Sequence, residues 1–333
     1  MSLIANWKEI IDTANLSPDK RMDAVSRWLI ITRAAVFSMT GISGLIGGLL
    51  ALATAARIDV LNFVLAWLGL ILAHASNNMI NDFFDLEAGV DTDDYARAQY
   101  APHPILGGLI SKAGLGRAIL AFNLVGAVIM AILALRAGWP VLAFAAAGLF
   151  ISVFYVAPPI RLKHHGLGEP GVFLVWGPLM IGGTYYVTAG TWPPAGVWLA
   201  CVPYALVVTT VLMGKHIDKR QADEAKGIRT IPVLIGEKAA LTLNLAMMAG
   251  YYLIVLILVL TGTLGPWVLL VALALPRLRR VWKTYREPRP EKPPENYPVW
   301  PLWYVAAAFY HNKLAGAMFV LGLLMNVLVP RIF

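Results

Sequence analysis

Long apolar runs separated by short polar clusters dominate this chain. A helix that crosses a bilayer needs about 20 mostly apolar residues. Nine stretches, near 27–54, 59–83, 116–136, 139–156, 171–190, 195–213, 239–262, 264–277 and 302–328, meet or approach that length, and the eighth is the shortest. Gly and Pro mark the joins, as at Thr191-Trp192-Pro193-Pro194 and from Gly262 to Pro266, where tight turns between helices favour both. The pattern predicts an all-α polytopic membrane protein with about nine transmembrane helices. Ahead of the first run, Leu3, Ile4, Trp7, Ile10 and Ile11 recur at helical spacing. That spacing predicts a short helix lying on the membrane interface, with a solvent-facing helix as the alternative. Residues 1–26 are therefore expected to form a cytoplasmic or interfacial segment without a cleavable signal. Residues 27–333 form a single transmembrane domain, with no tandem repeat and no separate soluble domain.

Composition and charge agree with this reading. Of 333 residues, 59% are hydrophobic and 14% charged, too apolar for a soluble domain of this length. If the chain crosses nine times, 24 of its 27 Lys and Arg fall on one side, and only Arg57, Arg136 and Arg331 on the other. All acids but Asp59 share the Lys/Arg-rich side. The positive-inside rule makes that side cytoplasmic. The N-terminus and the polar loops then face the cytoplasm from the inner (cytoplasmic) membrane, and the C-terminus lies outside. The net charge of +8 is a topology signal that suits anionic lipid headgroups, and nucleic acid is not an expected partner. The charged, Pro-rich run at 277–297 is expected to meet lipid phosphates. The one cysteine, Cys201, lies in an apolar stretch, so it can form neither an internal disulfide nor a thiolate cluster and reads as a packed helix residue.

The candidate chemistry sits in two acidic clusters. An Asp or Glu near the middle of a spanning helix costs roughly 2.5–3.5 kcal/mol on insertion scales, so acids at a membrane boundary read as functional. Asn78, Asn81, Asp82 and Asp85 are three or four residues apart and share one helix face. Asp91 follows Gly89, where the helix is expected to have ended and the chain to fold back. A solvated loop that merely caps the helix would account for Asp93 and Asp94, but not for a polar stripe inside an apolar frame. The second cluster runs from His216 to Gly227 and contains Asp218 and Asp223. Five residues apart, they are about 140° apart on a regular helix and converge only if it ends or kinks between them. Oxygen donors without Cys, and without His pairs at metal spacing, favour Mg²⁺ over zinc or copper. The expected ligands are Asn81, Asp82, Asp85, Asp91, Asp218 and Asp223, with Asp82, Asp85 and Asp223 carrying the catalysis. Asn78, Asn81, Arg97, Tyr155, Arg161, Lys163, Lys215, Lys219 and Arg229 are candidate substrate contacts, and His216 is a candidate general base.

Taken together, these motifs resemble the UbiA superfamily of intramembrane prenyltransferases. Within it the chain is most similar to the branch that prenylates 1,4-dihydroxy-2-naphthoate in menaquinone synthesis. The resemblance runs from about residue 30 to the last helix. It rests on Asn81-Asp82-x-x-Asp85 followed by Gly89-Val90-Asp91-Thr92, on the stretch from Tyr155 to Gly190, and on Asp223-x-x-x-Gly227-x-Arg229-Thr230-x-Pro232. One departure stands out: the family carries an Asp four residues before the position of Asp223, and this chain has Lys219 there, with Asp218 one residue early. The resemblance implies nine helices around a membrane-embedded central cavity. It also implies a Mg²⁺-dependent enzyme that moves a prenyl group from a polyprenyl diphosphate to an aromatic or quinone-precursor acceptor, among membrane lipids. Two alternatives stay open on the sequence: a membrane terpene cyclase that ionises the same diphosphate without an acceptor, and a transporter or lipid-binding protein.

Overall fold

The computed structural model describes residues 3–92, 101–295, 297 and 299–329, and these are helical with no strand among them. In chain order the helices are α1 (Leu3–Thr13), α2 (Ala24–Ile31), α3 (Phe37–Thr54), α4 (Val60–Glu87), α5 (Lys112–Ala137), α6 (Pro140–Phe154) and α7 (Gly168–Ala189). Then come α8 (Ala195–Asp218), the short α9 (Arg220–Ala225) and α10 (Ile231–Ile235), α11 (Glu237–Leu260), α12 (Leu275–Arg286) and α13 (Tyr304–Leu328). Seven helices among the described residues are long and apolar enough to cross a membrane. The stretches expected at 139–156 and 264–277 are helical too, but shorter. The first is the 15-residue α6, and the second is a nine-residue 3₁₀ run, Pro266–Ala274, that leads straight into α12. Because 3₁₀ winding rises about 2.0 Å per residue against 1.5 Å in an α-helix, such a run reaches farther than its length suggests.

The apolar run expected at 27–54 is not one helix. Asp23 caps α2 by accepting the N–H groups of Val25 and Ser26, and the helix ends at Thr32. Arg33 then takes a left-handed conformation at φ +55° before a 3₁₀ turn, Ala34–Val36, opens α3. A non-glycine residue in that region costs about 1–2 kcal/mol. The cost is offset by the ion pair that Arg33 makes with the buried Asp82.

The main core joins α3, α7, α8, α11 and α13 through Ile46, Ile181, Tyr204, Met248, Tyr251 and Phe319, all buried. Small residues let the backbones approach, as membrane helices without a hydrophobic drive between them require. A Cβ on Gly47 would stand 2.5 Å from the Ile181 carbonyl, and one on Gly322 would stand 2.5 Å from Val268 Cα. Between Val175 and Gly182, α7 winds as a π-helix that contains Pro178, a residue without an N–H. Beside this bulge lies a cavity of about 930 Å³, walled by Met39, Leu70, Leu133, Phe144, Val175 and Trp176. Val128, Leu135, Leu253 and Leu260 stay exposed, as expected of faces turned to lipid.

Candidate active site

At its polar end the cavity meets a smaller pocket, and Arg33, Asn81, Tyr155 and Lys215 line both. The smaller pocket is completed by Asp85, Asp91, Lys163, His216 and Lys219. Asn81, Asp85 and Asp91 of the first cluster therefore share one polar chamber with His216 and Lys219 of the second, at the mouth of an apolar one.

The last two turns of α4 supply the first cluster. Asp82 is fully buried. It accepts Arg33 Nε at 3.2 Å and pairs with a second guanidinium nitrogen of the same arginine. Three positions on, Asp85 accepts both hydrogen bonds of the Lys163 ammonium, at 2.9 and 3.1 Å. After Glu87 the chain doubles back, and the N–H groups of Val90 and Asp91 donate to the Asp85 carbonyl at 2.8 and 3.0 Å. That turn carries the buried Asp91 to His103, whose Nε2 lies 3.4 Å from Asp91 and 3.8 Å from Asp82. His103 Nδ1 accepts the N–H groups of Ile105 and Leu106. Neutral His103 therefore carries its proton on Nε2 and donates toward the two carboxylates instead of offering them a lone pair. Burial pushes the Asp91 carboxyl up, but the His103 hydrogen bond, with Arg33 and Lys219, prevails and holds it below its ordinary range.

The second cluster forms where α8 stops. Lys219 caps the helix, α9 begins at Arg220, and the change of direction separates the two acids. Asp223 is fully buried and stands 3.6 Å from Lys219 Nζ. Asp218 goes the other way. Its carboxylate accepts the N–H groups of Trp303, Tyr304 and Val305 at 2.9–3.0 Å, with Arg289 at 3.8 Å. The expectation that Asp218 ligates a metal is thus corrected: its oxygens hold the start of α13. Burial lowers the Lys219 ammonium to about 8, against the attraction of Asp223 and with Lys163 and Lys215 adding to the fall. Burial acts in the same sense on Lys163, but Asp85 and Asp223 outweigh it and raise that ammonium above its usual value.

Of the other expected residues, Asn78 is buried and donates to the Thr32 carbonyl at 2.9 Å, fixing α4 to the end of α2 on the wall of the large cavity. Arg161 and Arg229 line neither chamber among the described residues. Arg161 is half-buried in a left-handed turn at φ +48°, and Arg229 is exposed with its N–H on the His164 carbonyl. Arg97 lies outside the described residues. Sequence reasoning missed Arg33 and Glu169. Arg33 had a signal, since it is a cation within an apolar run. Lys226 was also missed; its ammonium binds the Gly89 and Val90 carbonyls and Thr92.

The donor set suits a divalent ion. Carboxylate oxygens of Asp82 and Asp91 lie within 4.8 Å of each other, beside His103. Asn81 Oδ1 is buried with no hydrogen-bond partner among the described residues. Converging carboxylate and amide oxygens fit a hard cation.

The chain is 24% identical to the 1,4-dihydroxy-2-naphthoate octaprenyltransferase of Bacillus subtilis (strain 168) over 268 residues, 78% of this chain and 82% of the relative. In structure it is similar to a UbiA homologue from Aeropyrum pernix K1, with TM-score 0.66, 19% identity, and 87% and 97% of the two chains covered. It is also similar to a UbiA homologue from Archaeoglobus fulgidus solved with GPP and Mg²⁺, with TM-score 0.57, 15% identity, and 88% and 99% covered. The family model for UbiA prenyltransferases matches residues 41–314, which include both acidic clusters, and the chain belongs to the UbiA prenyltransferase family.

Proposed function

We propose that this enzyme transfers a prenyl group from a polyprenyl diphosphate to an aromatic, quinone-precursor acceptor inside the membrane, with Mg²⁺ as cofactor. The observation that carries the reading is the juncture itself, where a cation-rich chamber holding Asp85 and the buried Asp91 meets a large apolar cavity. Asn81, Asp82, Asp85, Asp91 and Asp223 would hold the ion, which supplies charge neutralisation to the diphosphate leaving group. Arg33, Lys163, Lys215 and Lys219 add fixed positive charge around the same phosphates. Lys219 stands where the resemblance leads one to expect an Asp, so this chain meets part of the phosphate charge with its own ammonium. The cavity accommodates the isoprenoid tail and keeps water from the allylic carbon. Tyr155 at the junction and Trp176 in the cavity wall are aromatic rings available to an allylic cation. A naphthoate-type acceptor is supported by the B. subtilis relative. The polar chamber faces the cytoplasm, as the Lys/Arg bias requires.

The test is direct. Purified enzyme in lipid nanodiscs receives geranylgeranyl diphosphate, Mg²⁺ and 1,4-dihydroxy-2-naphthoate. Prenylated product and pyrophosphate are expected in equal amounts, EDTA stops the reaction, and Asp82→Asn or Asp91→Asn lowers kcat by about 10²–10³-fold. A cyclised hydrocarbon formed from the donor alone would identify a cyclase, and no pyrophosphate release at all would overturn the proposal.

A further inference from the structure

From the wall of the phosphate chamber runs a second polar chain that metal binding and charge neutralisation leave unused. Glu169 at the start of α7 and His216 in the last turn of α8 are each only 2% exposed. His216 Nδ1 is 2.8 Å from Glu169 Oε1, and His216 Nε2 is 3.3 Å from the Tyr155 hydroxyl. The directions of these hydrogen bonds follow from the chemistry of the ends. A carboxylate only accepts, so Nδ1 carries the imidazole proton, Nε2 keeps its lone pair, and Tyr155 donates to it. Glu169 Oε2 is buried with no partner among the described residues, which leaves the carboxylate's charge aimed at the imidazole. The space is shaped for the pair. A Cβ on Gly168 would meet the Tyr155 ring at 3.2 Å and His216 Cε1 at 3.5 Å. At the other end Tyr155 borders both chambers, which places the residue at the boundary between the polar pocket and the apolar cavity.

Resting on the function proposed above, we infer that Tyr155, His216 and Glu169 form a proton relay that takes up the hydroxyl proton of a phenolic acceptor as its ring is prenylated. The donor's C–O bond breaks with its electron pair going to diphosphate. A ring π pair forms the new C–C bond, and the acceptor's O–H pair becomes the π pair of a carbonyl. The released proton passes to the Tyr155 oxygen while the Tyr155 proton moves to His216 Nε2. Glu169 stabilises the resulting imidazolium, as a buried carboxylate does behind a general-base histidine. The imidazolium gives its proton to water once products leave. Tyr155 is the catalytic residue, and His216 and Glu169 act through it.

The experiment uses full-length protein in nanodiscs with geranylgeranyl diphosphate, Mg²⁺ and 1,4-dihydroxy-2-naphthoate as probe acceptor. Tyr155→Phe is expected to lower kcat for transfer by about 10²–10⁴-fold. Glu169→Gln is expected to lower kcat, to keep Mg²⁺-pyrophosphate affinity within about twofold by calorimetry, and to move the acid limb of the kcat–pH profile to lower pH. The sign follows from the geometry: Glu169 Oε1 sits 2.8 Å from His216 Nδ1, and its loss removes the counter-charge of the imidazolium formed in the relay. Glu169→Asp restores part of the rate. A merely structural role would change the rate without moving the limb. If wild type transfers the prenyl group while Tyr155→Phe and Glu169→Gln match it within about twofold, or the limb stays in place, the relay is wrong. If wild type neither transfers nor releases pyrophosphate, the functional reading falls first and takes the relay with it.

Discussion

Asp218 and Asp223 lie on either side of one helix end and do different work. Asp218 gathers three backbone N–H groups at the head of α13, whereas Asp223 is buried beside Lys219 at the second cluster. Asp218→Asn is expected to destabilise the fold by about 1–3 kcal/mol through the weakened hydrogen bonds, with no change in Mg²⁺-pyrophosphate affinity. Asp223→Asn should weaken that affinity at least tenfold. Thermal melts and calorimetry on the two variants check this, and equal losses of affinity would contradict the division. The sequence made both acids legible as candidates and favoured Asp223 for catalysis, but it could not show that Asp218 turns away. Their roles depend on where the helix breaks, and on a partner, the 303–305 backbone, some 85 residues downstream. Asp82 and Asp85 were easier, because helical spacing alone puts them on one face. Glu169 was illegible for the opposite reason, since its meaning comes wholly from the distant His216.

Helix contacts in this molecule rest on missing side chains. Gly47 brings α3 against the backbone of α7, whereas a Cβ added to Gly250 on α11 would meet nothing within 4 Å. Gly47→Ala is expected to cost about 1–3 kcal/mol by overpacking, and Gly250→Ala to be neutral or stabilising by up to about 1 kcal/mol through helix propensity. Unfolding midpoints in detergent read the contrast, and a neutral Gly47→Ala would refute close packing at that crossing. Hydrophobic runs located the spanning helices well, because lipid imposes length and apolarity on each one separately. They failed where a run contains a local exception. The left-handed Arg33 splits the first run in two, and tight 3₁₀ winding carries the eighth. Neither departure leaves a mark in apolar periodicity.

At the scale of the whole molecule, orientation is the open physical variable. Thr191 and Gln221 are exposed at opposite ends of α8, and the native Cys201 is buried within it. An impermeant maleimide applied to intact spheroplasts is expected to label Thr191→Cys and spare Gln221→Cys, and the reverse pattern would invert the proposed topology. The unequal split of cations is what the proposed orientation rests on. The size and walls of the cavity were not readable, because they depend on how separate helices lean on one another. One further consequence comes from the ammonium of Lys226, which is tied to the turn bearing Asp91. That tether fastens a late piece of the polypeptide to an early one. A nascent chain leaving the insertion machinery therefore lacks this tether on the Asp91 turn until its second half docks.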